Sequence, residues 1–110
     1  MHEMSITQSV VEICQAHAGG RRVTEVILEI GELSGVVPDS IEFCFEACSK
    51  GTLLDGARLG IEVVPAVARC PSCAQELPVR TLFDPCAGCG AFGLTLISGE
   101  ELRVKELELE

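Results

Sequence analysis

The chain has no tryptophan and no tyrosine, and its four phenylalanines are its only aromatics. A core made from it must be mainly aliphatic. Basic residues are also scarce: 8 Lys and Arg face 17 Asp and Glu, for a net charge of −9. That balance argues against nucleic acid and anionic membranes as partners and suits a cation or a basic protein surface. Histidine occurs twice, as His2 and His17, too rarely for a hydrolytic metal centre. No Ser/His/Asp arrangement, phosphate-binding glycine loop or paired acid/base carboxylates stand out, so catalysis is not expected. No apolar run approaches a membrane span. Glu3, Gln8 and Glu12 interrupt any signal-peptide core, and no basic segment precedes it. The expectation is a cytoplasmic protein that is not an enzyme.

Cysteine is abundant by contrast, with seven residues at 14, 44, 48, 70, 73, 86 and 89. An odd count with two close pairs fits a reducing compartment and metal binding better than a disulfide framework. Zinc takes four soft ligands in a tetrahedron, and a CxxC turn sets two sulfurs on one side of the ion with little strain. Cys70-Pro-Ser-Cys73 and Cys86-Ala-Gly-Cys89 supply two such turns, and residues 74–85 are enough for a loop or short hairpin between them. Four protein ligands close the site, so its expected role is structural. Redox dithiols are the alternative, but the helix-start, βαβ context they need is missing.

The remaining chain reads as an α+β fold of two helices on a small β-sheet. Residues 4–18 form an amphipathic helix, with Met4, Val11, Cys14 and Ala18 on one stripe and Gly19-Gly20 as its stop. Residues 23–30 alternate as a half-buried strand. A second helix starts near Pro38, with Asp39 and Glu42 at capping-box spacing and Ser40 as the other candidate cap. Its apolar face is Ile41, Cys44, Phe45 and Cys48, and Gly51 ends it. Leu59, Ile61 and Val63 alternate as another strand. Residues 94–97 and 102–109 close the chain as strands, the last with a bulge near Lys105-Glu106 that restores its alternation. The Cys-, Pro- and Gly-rich stretch from 69 divides the chain into 1–68, completed by a strand within 99–110, and an inserted zinc-ribbon-like domain at 69–98.

The N-terminus offers a second kind of metal chemistry. The amine of Met1, the amide and imidazole of His2 and the amide of Glu3 can form fused chelate rings around one ion. A flat nitrogen set suits Ni(II) or Cu(II), and protonation of those nitrogens should release the metal. Terminal residues are commonly solvated and disordered, and Glu3 taken alone reads as a surface charge or a first-turn helix carboxylate.

Three motifs in order resemble one family. Met1-His2-Glu3 opens the first helix. The stretch from Ile30-Gly31-Glu32-Leu33-Ser34-Gly35-Val36 leads to Pro38-Asp39-Ser40-Ile41-Glu42-Phe43, and the double CxxC module follows. The whole chain resembles the HypA/HybF family of nickel-insertion proteins in [NiFe]-hydrogenase maturation. The resemblance implies a nickel metallochaperone with Ni(II) at Met1, His2 and Glu3 and structural zinc at Cys70, Cys73, Cys86 and Cys89. It implies a HypB-type maturation GTPase and the hydrogenase large subunit as partners, with urease maturation proteins served by some relatives. Asp39 falls where some members place an aspartate near nickel, although a helix cap is the favoured reading. Some relatives carry histidines beside the zinc cysteines; this module has none.

A zinc-ribbon adaptor for protein or nucleic acid is the competing reading. Against it, residues 69–92 balance Arg69 and Arg80 with Glu76 and Asp84, and hold only Phe83 and Phe92 as aromatics. Cys14, Cys44 and Cys48 read as core cysteines, although Cys44 and Cys48, four apart, have the spacing to pinch a metal. His17 reads as a helix C-terminal residue and the acidic tail as a solvated strand face.

Overall fold

The computed structural model describes residues 2–110. Helix α1 (Glu3–Ala18) ends where Gly19 adopts a left-handed conformation, φ 61°. It buries Thr7, Val10, Val11, Cys14 and Ala18. Thr7 joins this apolar stripe because its hydroxyl donates to the Glu3 carbonyl one turn back, at 2.7 Å. Ile13 and Met4, at the margins, stay about half exposed.

Strand β1 (Val23–Gly31) is the middle of a three-stranded sheet. It pairs in parallel with β2 (Arg58–Val64) and antiparallel with the last strand (Leu102–Leu109), which is β6 in chain order. Val23, Val26, Leu28 and Ile30 point into the core. The opposite face carries ion pairs, Glu29 with Arg103 and Glu62 with Lys105. The bulge lies where the broken alternation places it: Ile27 pairs with Glu106 and Leu28 with Val104, leaving Lys105 unmatched.

Helix α2 (Pro38–Ser49) connects β1 to β2 and packs beside α1. Its start differs from the capping-box reading. Val37 is the N-cap and no side chain caps the helix. Proline has a pre-set φ and no N–H to leave unpaired, so it takes the first helical position. That moves Asp39 into the first turn, with its carboxylate at the positive end of the helix. At the other end Lys50 is the extended C-cap, and Gly51, φ 78°, lies one residue beyond it. Both helices cover one face of the sheet, around Val10, Val11, Cys14, Val26, Leu28, Ile30, Ile41, Phe45 and Leu54.

A second three-stranded sheet is built from β3 (Val67–Arg69), β4 (Glu76–Pro78) and β5 (Thr95–Ser98), in the order β4-β3-β5. It takes in Val67 and Ala68, which the sequence division at residue 68 assigns to the first part. Its small core is Ala68, Cys70, Cys86 and Leu94. The molecule is elongated, 53 × 23 × 17 Å.

The chain passes between the sheets at one crowded junction. Glu32 Oε1 accepts from the Ala66 amide at 2.6 Å, and the Leu33 amide donates to the Gly99 carbonyl at 2.7 Å. A Cβ on Gly31 would overlap the Gly99 backbone, so only glycine fits there. Among the described residues no helix is long and apolar enough to cross a membrane.

Candidate metal sites

The two CxxC segments fold into near-identical turns. In the first, the Ala74 amide donates to the Cys70 carbonyl at 2.9 Å and the Cys70 amide to the Gln75 carbonyl at 3.0 Å. In the second, Gly90 donates to Cys86 at 2.7 Å and Cys86 to Ala91 at 2.8 Å. Each turn closes on a left-handed residue at the same place, Gly90 at φ 79° and Ala74 at φ 61°. Glycine is the expected residue at such a position; the alanine in the first turn gave the sequence no cue.

These turns bring all four sulfurs within 4.8 Å of one another. Cys70 and Cys89 are 3.5 Å apart, and Cys73 and Cys86 3.8 Å. Zinc–sulfur bonds of about 2.3 Å in a tetrahedron require sulfurs about 3.8 Å apart. The donor set and its spacing therefore fit zinc. Cys70 and Cys86 are buried, and Cys73 and Cys89 lie on the outer side. The Gly88 amide points at Cys86 Sγ, at 3.4 Å.

Backbone amides tune the thiols. The Cys73 amide, opposed by burial and helped by that of Ser72, brings the Cys70 thiol down to about 6. The Cys89 amide likewise lowers Cys86. Cys89 receives help from the Ala91 amide, but its contacts with Cys70 and Cys86, together with burial, push it up to about 12. Cys70 and Cys86 are thus poised to ionise first, while Cys73, also raised, and Cys89 hold their protons longer. With all four sulfurs as ligands no open position is left for a substrate.

Away from the cysteine cluster's own sheet, His2, Glu3 and Met4 line an open cleft of about 430 Å³ together with Asp39, Ser40, Phe43 and Cys44. Met1 lies outside the described residues. His2 is the extended N-cap of α1, with φ −92° and ψ 97°. Glu3 is the first helical residue, so its amide has no carbonyl four residues back to bond. The first bond of the helix runs from the Ile6 amide to the His2 carbonyl, at 3.1 Å. The side-chain donors of His2, Glu3 and Asp39 do not converge as the four cysteines do. A site built from backbone nitrogens and one imidazole does not need them to.

Asp39 is the residue whose favoured sequence reading changes. It is not a cap, and helix α2 instead presents it to the same cleft as His2 and Glu3. The cleft also brings Phe43 and Cys44 beside His2 and Glu3. Phe43 is 84% exposed at the rim. Their position follows from the packing of α1 on α2, which no local pattern encodes.

Comparison with known proteins identifies the family. The family described as hydrogenase/urease nickel incorporation, metallochaperone, hypA matches residues 1–109. A hydrogenase maturation factor HypA from Geobacter sp. (strain M21) is 74% identical over 110 residues, all of both chains. Another from Geobacter metallireducens (strain ATCC 53774 / DSM 7210 / GS-15) is 71% identical, also over all of both. Among solved structures, the solution structure of HypA protein superposes with a TM-score of 0.73 at 25% identity, covering 100% of this chain and 97% of that one. The chain is therefore a member of the HypA family of nickel-incorporating metallochaperones.

Proposed function

We propose that this chain holds Ni(II) at its N-terminus and surrenders it during hydrogenase maturation, with zinc at Cys70, Cys73, Cys86 and Cys89 holding the second sheet together. The observation that carries the nickel assignment is the state of the first turn of α1. His2 sits in a cleft as an extended N-cap, and the amide that follows it has no helical acceptor.

The cargo is bound by the Met1 amine, the His2 amide and imidazole and the Glu3 amide. Taking up nickel through the Glu3 nitrogen breaks no helical hydrogen bond, because the first one starts at Ile6. Two deprotonated amides balance the charge of the divalent ion, which removes its conflict with the positive end of the helix. Asp39 adds a carboxylate at the cleft wall that draws the cation in. Returning protons to the amides dismantles the site, so release needs no covalent chemistry, and the chain acts as a carrier rather than a catalyst.

The partners we assign are a HypB-type maturation GTPase and the [NiFe]-hydrogenase large subunit, with urease maturation proteins as further clients, all in the cytoplasm. The functional division is a nickel part at 1–68 with 99–110 and a zinc part at 69–98. The competing adaptor reading finds no support in the second part: Arg69 is paired with Glu76, and no basic stripe remains.

The test is Ni(II) titration of untagged protein. One ion per chain is expected, and His2→Ala should abolish binding while leaving zinc content unchanged. One extra residue ahead of Met1 should do the same, because it displaces the amine and keeps every side chain. Unchanged affinity in either variant overturns the assignment.

A further inference from the structure

Four sulfur side chains, those of Met4, Cys14, Cys44 and Cys48, remain outside both metal sites. Helices α1 and α2 pack side by side, and across their interface Cys48 Sγ lies 3.2 Å from Met4 Sδ and 4.0 Å from the Met4 carbonyl. Cys44 precedes Cys48 by one turn on the same face of α2 and shares the cleft wall with Met4. Cys44 is 9% exposed and Cys48 half-buried. We propose that Met4, Cys44 and Cys48 form a binding site for a thiophilic monovalent cation, Cu(I), opening into the cleft that holds His2 and Glu3.

The donor chemistry selects the ion. Two thiols and a thioether are soft ligands that favour Cu(I) and offer nothing to hard cations. Helix geometry argues against the other use of such a pair, a disulfide. Residues four apart on a helix have Cβ atoms about 5–6 Å from each other, whereas a disulfide needs about 3.5–4.5 Å. An ion between the sulfurs spans that gap, as two ligands four apart on one helical face do in other metal sites. Met4, from the neighbouring helix, then supplies the third donor, already in contact with Cys48. Cys14, the remaining cysteine of the first part, is fully buried in the aliphatic core. The site is separate from the nickel nitrogens, and does not depend on their assignment. Copper bound here would occupy the same opening through which nickel enters.

The test is anaerobic titration of zinc-loaded, untagged protein with Cu(I) buffered by bathocuproine disulfonate, with zinc release followed in the same cuvette by a zinc-sensitive dye. One Cu(I) per chain should bind before any zinc appears, and X-ray absorption should show sulfur-only, three-coordinate copper. Cys44→Ser and Cys48→Ser should each weaken that first binding by more than the roughly 10–100-fold typical of losing a supporting contact. Met4→Leu, at a 44% exposed position, keeps the fold and should weaken it roughly tenfold with loss of one sulfur neighbour. His2→Ala and Cys14→Ala should leave it unchanged. Zinc expelled by the first equivalent of Cu(I), or parental affinity in Met4→Leu and both serine variants, would overturn the site.

Discussion

Ala74 occupies a backbone conformation that glycine holds in the matching turn. Its φ of 61° stands where Gly90 has 79°. A left-handed L-residue costs about 1–2 kcal/mol, and glycine returns part of that gain as lost unfolded-state entropy. Ala74→Gly should therefore stabilise the zinc-loaded protein by about 0.5–1 kcal/mol, read from urea unfolding; a destabilised variant would mean the alanine methyl makes a contact that outweighs the strain. Cys14 makes a different prediction at the same scale. Burial raises its thiol from 9.0 to about 11. The folded state thus keeps a proton that the unfolded chain gives up, so the Cys14 contribution to stability is constant below pH 9 and falls as pH rises from 9 towards 11. Cys48, raised by burial and then by Cys44, adds to the same slope. The chain has no tyrosine to mask it. Cys14→Ala should flatten the alkaline fall in urea midpoint, and an unaltered slope would place its origin elsewhere.

Between elements, the junction of the two sheets depends on the approach of Gly31 to Gly99. An added methyl at 31 would meet the Gly99 carbonyl and the Glu100 amide nitrogen, both backbone atoms that cannot swing aside. Gly31→Ala should cost about 1–3 kcal/mol by overpacking, and more if the Leu33–Gly99 bond is lost with it. A urea midpoint within error of the parent would show that the junction can relax. Gly31 also marks the limit of what the sequence reveals. The long elements, α1, β1, α2 and β6, are legible because each carries its own period, and the bulge at Lys105 is legible as a break in one. Strands β3 and β4 are not, because three residues hold too little alternation to stand out. Pro78 further disguises β4, where it is tolerated only because that strand is at the edge. The cluster of four cysteines was legible from spacing alone. The cleft was not, since Asp39 and Cys44 reach His2 only through the packing of one helix on another.

At the scale of the whole molecule, zinc does more than hold its own module. Two of the four buried residues in the second core, Cys70 and Cys86, belong to the four-cysteine cluster, so little apolar burial remains without the metal. The first core has both helices and a much larger aliphatic set. It is not independent, however, because β6 reaches β1 only after the chain has run through residues 65–101. With zinc, that segment is a folded bridge. Without it, β6 must pair across a flexible loop, whose closure costs about 3 kcal/mol for a few tens of residues. Chelation should therefore have two distinct effects. Amide protection should vanish in β3, β4 and β5, while the first part stays folded but unfolds at lower urea, by up to about 3 kcal/mol. Far-UV helical signal isolates the second effect, since α1 and α2 both belong to the first part. A helical midpoint that does not move on zinc removal would show that β6 docks without help from the bridge. Nickel capacity should persist in the stripped protein, because the cleft of His2, Glu3 and Asp39 is made entirely by α1 and α2.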